Sequence, residues 1–304
     1  MRVFVTGATG FIGSAVVKEL ISAGHQVLAL ARSDAAAKSV VALGAEVHRG
    51  SLEDLESLCS GAAAADAVIH TAFIHDFNNY APAAEADRGA IETLGAALVG
   101  SGRPLVVTSG TLLVQRKGPL ATEEDATASI FPRKSEEAGI EMESRGVNVS
   151  IVRLPPSVHG KGDHGFVPRL IEIARENGTS AHVRDGINRW PTVHRLDAAQ
   201  LYRLVLEKGK AGGRYHGVAY EGVPFRDIAD VIGRHLKVPV VSKSTEEAAQ
   251  HFGWLAHFVG IDCPASSTQT QQHLGWRTVQ PGLLADLDAG HYFEHIADTV
   301  ALRA

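Results

Sequence analysis

The sequence of 304 residues predicts an α/β fold, a doubly wound parallel sheet followed by a smaller C-terminal region. Three observations lead to this expectation. Short apolar runs alternate with amphipathic or alanine-rich segments through the first half, which is typical of βαβ units. A glycine-rich turn follows the first apolar run. Beyond residue 155, prolines and glycines break the alternation and indicate loops and short elements over the edge of the sheet.

The individual elements follow from these runs in chain order. The expected strands of the sheet cover residues 3–5, 27–31, 46–48, 67–70, 105–108 and 149–154. The expected helices cover residues 14–23, 34–43, 83–99 and 136–144, with another beginning at 55. The second half adds helices at 166–176, 196–207 and 225–236 and a short strand at 239–241. We therefore expect a sheet domain at residues 1–155, to which 190–220 return, and a cap region at 156–189 and 221–304.

The composition excludes several classes of protein. A hydrophobic content of 45% with 21% charged residues is that of an ordinary soluble globular chain. The formal net charge of −5 argues against a nucleic-acid surface. No apolar run reaches the about 20 residues that a membrane helix needs, and no export signal is evident. Cys59 and Cys263 do not form a CxxC pair, and the histidines are scattered along the chain. We expect a cytoplasmic protein without nucleic-acid, membrane or metal-ion partners.

The glycine-rich turn predicts a dinucleotide site. Residues 3–13 read VFVTGATGFIG and place three glycines between a strand and a helix. Gly7 allows a tight turn, Gly10 lets the backbone approach a pyrophosphate, and Gly13 lets the helix pack close to the strand. The N-terminus of the helix then offers free N–H groups and a positive dipole end to the phosphates. The alternative is a tight turn without a ligand.

The segment TGATGFIG resembles the short-chain dehydrogenase/reductase superfamily, in its extended and atypical branches of epimerase/dehydratase type. Further segments that resemble motifs of this superfamily lie at residues 68–72, 108–110, 153–160, 190–199 and 274–276. The resemblance implies a Rossmann-type sheet that binds the cofactor and a C-terminal region that binds the substrate. Together with the residue chemistry, it predicts cofactor contacts from Gly7, Thr9, Gly10, Phe11, Ile12, Gly13, Arg32, Ser33, Ser51, Leu52, Thr71, Ala72, Phe73, Thr108, Arg133, Leu154, Pro155, Pro156 and Ser157.

The end of the second strand favours NADP(H) over NAD(H). An NAD-binding relative would carry an acidic residue where this chain has Ala31. Arg32 follows and can pair with a 2′-phosphate, while the Ser33 hydroxyl can add a donor. The alternative is that Arg32 is a solvated loop charge. Ser51 stands where the family usually has an aspartate near the adenine, which weakens that contact without removing it.

The usual catalytic pair of the superfamily is absent. That pair is a tyrosine with a lysine four residues later, and none of the five tyrosines of this chain has such a lysine. The matching stretch places Ser129 at the tyrosine position and Arg133 at the lysine position. Arg133 can hold the ribose hydroxyls, but it cannot give up a proton. Ser109 matches the serine that polarises the substrate, and Asp87 stands where the family often has an asparagine that organises a water.

Other side chains could supply the proton. His75, which precedes Asp76, and Tyr80 lie in the loop after the fourth strand, where the substrate is expected. The alternatives are a loop histidine with a structural hydrogen bond and an aromatic lid or core residue. His159 and His164 flank the expected nicotinamide side, with substrate contact and a solvated loop equally open. The apolar stretch 252–260 could line a hydrophobic pocket or belong to the core or to a subunit contact.

These observations predict an NADP(H)-dependent oxidoreductase that acts on a small to medium carbonyl or alcohol. Holding the reactants in place accounts for a large share of such a rate, so the loss of the tyrosine need not abolish it. Two alternatives remain: an NADP(H)-binding sensor without turnover, and chemistry of the epimerase/dehydratase type. The family resemblance also implies a homodimer through the helices at 83–99 and 136–144.

Overall fold

The computed structural model describes residues 1–75, 79–128 and 130–294. The strands are β1 Arg2–Thr6, β2 Gln26–Ala31, β3 Glu46–Arg49, β4 Ala67–His70, β5 Pro104–Gly110, β6 Asn148–Leu154, β7 Ser157–His159, β8 Ser180–Val183, β9 Arg189–His194, β10 Gly213–His216, β11 Tyr220–Pro224 and β12 Val240–Lys243. The α-helices are α1 Phe11–Ser22, α2 Asp34–Ala42, α3 Leu55–Ala63, α4 Tyr80–Ala96, α5 Ser135–Ser144, α6 Phe166–Asn177, α7 Arg195–Lys208, α8 Phe225–Leu236, α9 Thr245–Phe252, α10 Ala256–Val259, α11 Thr268–Leu274 and α12 Leu283–Asp288.

A seven-stranded parallel sheet in the order β10-β6-β5-β4-β1-β2-β3 forms the centre of the larger domain. Helices α1, α2 and α7 cover one face, and α3, α4 and α5 cover the other. Strand β1 serves both layers, because Val3 and Val5 pack with Leu20 while Phe4 packs with Leu94 on the opposite side. The predicted doubly wound fold is confirmed. Chain order reverses between β1 and β4, and the crevice at their carboxyl ends is where such sheets bind ligands.

The predicted elements of the first half are present, with ends displaced by a few residues. Helix α4 begins at Tyr80 rather than at residue 83, because Pro82 lies in the first helical turn, where its missing N–H is not needed. Strand β10 was not expected. Its sequence, GRYH, has no apolar run, and parallel pairing with β6 is what makes it the edge strand.

The C-terminal half adds a second apolar core. Strands β11, β9 and β7 form a small mixed sheet, and β12 pairs with β8. Trp190 is fully buried in this core, with its ring centroid 5.0 Å from that of Phe225. Within the stretch 252–260, Phe252, Leu255 and Val259 are buried there as well, which favours the core interpretation of that stretch.

Trp276 packs instead against the sheet domain. Its side chain is fully buried in the cluster that includes helices α1 and α7, and Nε1 donates a hydrogen bond to the Asp197 carbonyl at 3.0 Å. The element around residues 274–276 therefore contacts the sheet domain, although it lies within the segment 221–304 that was predicted to belong to the cap region. None of the helices within the described residues combines the length and apolar character needed for a membrane span.

A buried polar network holds the loop after β5 to the edge of the sheet. Arg153 of β6 is fully buried and donates to both oxygens of Glu136, at 2.8 Å from Nε and 2.6 Å from Nη2. Its Nη2 also donates to the Asp125 carbonyl at 2.8 Å. Arg214 donates to Glu136 at 2.6 Å. One guanidinium therefore ties α5 and the loop around residue 125 to β6.

His216 extends this network across β10. Its Nδ1 donates to the Ser266 carbonyl at 2.7 Å, which leaves Nε2 to accept from Arg153 Nη1 at 3.2 Å. Burial lowers the pKa of His216 to about 4, so the ring is neutral near pH 7 and fits beside a cation. Glu123 accepts from the backbone and hydroxyl of Thr270. The network thus also reaches Ser266, before α11, and Thr270 within α11.

Candidate active site

The glycine-rich turn leaves no room for side chains at two of its glycines. Gly7 has φ +70°, and a Cβ there would lie 2.7 Å from the Ala72 nitrogen. A Cβ at Gly13 would lie 2.0 Å from the Gly7 carbonyl oxygen. That oxygen also accepts a hydrogen bond from Gly10 N at 2.9 Å. The first residues of α1 therefore pack directly against the glycine-rich turn, as the glycine spacing predicts.

The N-terminus of α1 has no side-chain cap. Its N-cap residue is Gly10, whereas Ser33 and Asp54 cap the following two helices with side-chain oxygens. Thr9 and Gly10 are exposed, and Phe11 is half-buried. Free N–H groups and the positive end of the helix dipole thus face the crevice, which suits the pyrophosphate of a dinucleotide.

The expected adenosine contacts meet at one corner of the sheet. Arg32 follows β2, is exposed, and forms no ion pair within the described part of the chain. The neighbouring Asp34 pairs with Arg49 instead, at 2.5 Å. Ser33 accepts from Ala36 N as the N-cap of α2, and its hydroxyl proton stays available to a ligand. Strands β2 and β3 are paired, so Ser51 and Leu52, half-buried after β3, belong to the same corner.

The segment after β4 runs beside the glycine turn. Thr71 Oγ1 donates to the Thr6 carbonyl at 2.7 Å, and the Ala72 backbone lies against Gly7. The segment continues to Phe73, which is half-buried. The cofactor contacts predicted for residues 71–73 would therefore be made next to the glycine turn.

A chain of buried hydrogen bonds next to the site links β1, β4, α4 and α5. His70 Nδ1 lies 2.8 Å from Thr6 Oγ1, and its Nε2 lies 3.1 Å from Asp87 Oδ1. Ser135 Oγ donates to Asp87 Oδ2 at 2.5 Å and accepts from Arg133 Nε at 2.7 Å. Burial acts to raise the pKa of Asp87, but the hydrogen bond with His70 and the charge of Arg133 lower it overall. Sequence reasoning missed His70 and Ser135, although a histidine ending an apolar strand was a signal.

Arg133 is held from several sides at the carboxyl end of β5. Its Nη2 donates to the Thr108 carbonyl at 3.1 Å, and its guanidinium carbon lies 4.1 Å from the centre of the Phe73 ring. Asp87 Oδ2 lies 3.8 Å from its Nε. The cation is therefore positioned rather than mobile. Ser129, at the predicted tyrosine position, lies outside the described residues.

His75 and Tyr80 gather around the same aromatic ring. Their ring centroids lie 5.2 Å and 5.8 Å from that of Phe73. Partial desolvation and the charge of Arg133 lower the pKa of His75, although its side chain still reaches solvent. Burial raises the pKa of Tyr80, against the opposing effect of Arg133. At neutral pH, His75 is therefore uncharged and Tyr80 keeps its proton. Asp76 lies outside the described residues.

Ser109 presents an unused hydroxyl at the end of β5. Its side chain is buried, and its Oγ has no hydrogen-bond partner among the described residues. The neighbouring Thr108 hydroxyl is used internally, because it donates to the His70 carbonyl at 2.6 Å and lies 2.7 Å from Tyr202 Oη. A buried hydroxyl without a partner costs free energy, so a ligand oxygen is a fitting partner for Ser109.

The two histidines that follow β6 lie in different parts of the structure. Leu154 pairs with Gly110, so the chain through Pro155 and Pro156 starts at the end of β5, and Ser157 Oγ is buried without a partner in the described ranges. His159 is fully buried and bonds Asp286 at 2.8 Å. His164 is exposed, with its ring 5.9 Å from that of Phe11. His159 therefore belongs to the cap core, and His164 borders the glycine turn.

Fold and site together define a dinucleotide-binding α/β protein of the short-chain dehydrogenase/reductase type. A family model described as NAD(P)H-binding matches residues 7–178, and the chain belongs to this family. A protein of Saccharomyces cerevisiae, described as uncharacterised, is 49% identical over 296 residues, which cover 96% of this chain and 99% of that protein. The predicted membership of an NAD(P)H-binding family is confirmed, and the fold is that of solved epimerase/dehydratase-type structures.

Enzymes are found among the similar proteins. The 2-alkyl-3-oxoalkanoate reductase of Stenotrophomonas maltophilia is 29% identical over 261 residues, 80% of this chain and 78% of that enzyme. The dTDP-glucose 4,6-dehydratase DesIV of Streptomyces venezuelae, solved with NAD and TYD bound, superposes with a TM-score of 0.77 at 21% identity, covering 96% of this chain and 97% of that one. The latter similarity concerns the fold.

Proposed function

We propose that this protein is an NADP(H)-dependent oxidoreductase that interconverts a small to medium carbonyl compound and its alcohol. The observation that carries the proposal is the buried Ser109 hydroxyl, unpaired within the described residues, at the end of β5, where Arg133 donates to the carbonyl of the preceding residue, Thr108. An oxygen that gains negative charge during reduction needs this kind of donor and charge. The relatives of low identity include a 2-alkyl-3-oxoalkanoate reductase, which supports the same class of reaction.

The chain's own residues divide the work of such a reaction. When bound, NADPH supplies the hydride for the carbonyl carbon. Ser109 donates a hydrogen bond to the substrate oxygen, and Arg133 holds the ribose hydroxyls and adds positive charge nearby. Tyr80 retains a phenolic proton at neutral pH and is one proton donor for the oxygen; His75, uncharged and in contact with solvent, can pass a proton from water.

Replacing Ser109 with alanine is expected to lower kcat for ketone reduction by about 100-fold, the usual cost of losing one donor to a developing oxyanion. NADPH affinity should stay unchanged, since Ser109 is assigned to the substrate oxygen. The assay follows loss of NADPH absorbance over a panel of aldehydes and ketones. Ser144→Ala, at the exposed end of α5, is the matched control. Unchanged turnover by Ser109→Ala would contradict the role of this hydroxyl.

Replacing Arg32 with methionine is expected to raise the Kd for NADPH by about 10- to 100-fold, because charge-assisted hydrogen bonds to the 2′-phosphate contribute about 1.5–3 kcal/mol. The Kd for NADH should not change. Titration calorimetry with both dinucleotides measures the two values. Arg49→Met is the control, since Arg49 already pairs with Asp34. A wild-type protein that prefers NADH would overturn the NADP assignment.

A second candidate is an NADP(H)-binding sensor without turnover. The observation that favours it is Arg133 itself, which occupies the lysine position but cannot release a proton. Tight NADPH binding with no consumption across the panel would favour the sensor. Epimerase/dehydratase chemistry, to which the structural neighbours correspond, would instead convert a substrate without net loss of NADPH. A small-molecule substrate and a homodimer through α4 and α5 complete the proposal.

A further inference from the structure

Arg195, the first residue of α7, carries a charge that the protein leaves without a counter-ion. Its side chain is half-buried and forms neither a hydrogen bond nor an ion pair with any described residue. The acidic groups of the surrounding segments are engaged elsewhere. Asp197 accepts from the nitrogens of Val279 and Gln280, and Asp163 accepts from Gly165 N and from the Tyr292 hydroxyl. A half-buried guanidinium in this position is suited to an anion from outside the chain.

The position of Arg195 indicates which kind of anion can bind to it. Its guanidinium carbon lies 5.0 Å from the centre of the Phe11 ring. Phe11 is the first residue of α1, and the uncapped end of that helix is the phosphate end of the dinucleotide site. Arg195 reaches this place from a distant part of the chain, since α7 packs beside α1 on the same face of the sheet.

The loop between β7 and α6 encloses the same side chain. A Cβ at Gly160 would lie 3.3 Å from Arg195 Cγ, and one at Gly162 would lie 3.9 Å from its Nη1. Both glycines have positive φ, +137° and +87°. The loop therefore follows the arginine stem closely, and His164 at its end contacts Phe11. Cap loop, arginine and glycine turn form one contact surface.

We propose that Arg195 binds the pyrophosphate of the dinucleotide and links the loop at residues 160–165 to the bound cofactor. This assignment adds a side-chain cation to a phosphate site otherwise built from backbone N–H groups and a helix dipole. It rests on the dinucleotide-dependent function proposed above, but not on the preference for NADP(H). It also gives the cap region a direct connection to the occupied cofactor site.

The test compares Arg195→Met with the wild type. Methionine keeps an unbranched stem against Phe11 and removes the charge. We expect the Kd values for NADPH, NADH and ADP-ribose to rise by the same factor, about 10- to 100-fold, because all three contain the pyrophosphate. Arg195→Lys should recover part of the loss. Arg32→Met, in contrast, should weaken NADPH alone. Circular dichroism and the Tm of the ligand-free variant check that it is folded.

Other results of these binding measurements would lead to different conclusions about Arg195. Unchanged Kd values for all three ligands would overturn the inference, and a higher KM for carboxylate-bearing ketones would then show that the anion belongs to the substrate. A loss for NADPH and NADH without a loss for ADP-ribose would overturn it too, since the contact would then lie at the nicotinamide end. A wild-type preference for NADH, with the uniform Arg195→Met loss intact, would overturn only the NADP assignment and support the inference.

Discussion

Replacing Arg153 with methionine is expected to lower the free energy of unfolding by about 3–5 kcal/mol, the cost of breaking one side of a buried ion pair. Glu136 would keep only the partly exposed Arg214, and the Asp125 carbonyl and His216 Nε2 would lose a donor. Denaturant unfolding followed by circular dichroism measures the change. The loop after β5 should also loosen around residue 125, since Arg153 ties the Asp125 carbonyl to β6.

Arg169→Met is the matched control for this variant. Arg169 pairs with Glu172 and Glu176 on the surface of α6, and exposed pairs contribute less than about 1 kcal/mol. The double change Arg153→Met with Glu136→Leu should recover part of the lost stability, because no uncompensated charge remains buried. If Arg153→Met were as stable as the control, the network would not hold the loop.

Replacing Gly13 with alanine is expected to raise the Kd for NADPH and NADH alike by at least about 10- to 100-fold. The added Cβ would lie 2.0 Å from the Gly7 carbonyl oxygen, so α1 must move away from the turn. That movement displaces the N–H groups that would meet the pyrophosphate. Such overpacking also costs about 1–3 kcal/mol of stability. Calorimetric titration and thermal unfolding of the same sample separate the two effects.

Gly89→Ala is the matched control for this second variant. Gly89 lies within α4, and a Cβ there would meet no heavy atom within 4 Å. Alanine should be tolerated and can add up to about 1 kcal/mol, because glycine is the poorer helix former. Dinucleotide affinity that survives in Gly13→Ala would mean that the phosphates do not depend on the position of α1.

The candidate site could be predicted from the sequence wherever one segment carries its own signal. Arg32 after β2, the glycines of the turn, and Ser109 at the end of β5 are each recognisable from their neighbours in the chain. Arg133 was predicted as a ribose contact, and the structure places it at the end of β5 beside Phe73. His159 could not be separated from His164 in this way, because nothing local distinguishes a core histidine from a loop histidine.

The sequence by itself determined the parallel sheet, the order of its first six strands along the chain, and a dinucleotide turn. Those features rest on apolar periodicity and on glycine sterics, which act between neighbouring residues. Only the tertiary structure decided that β10 completes the sheet, that His70, Asp87 and Ser135 support Arg133, and that Arg195 reaches Phe11. These contacts join residues distant in the chain, and no local pattern encodes which of them will meet.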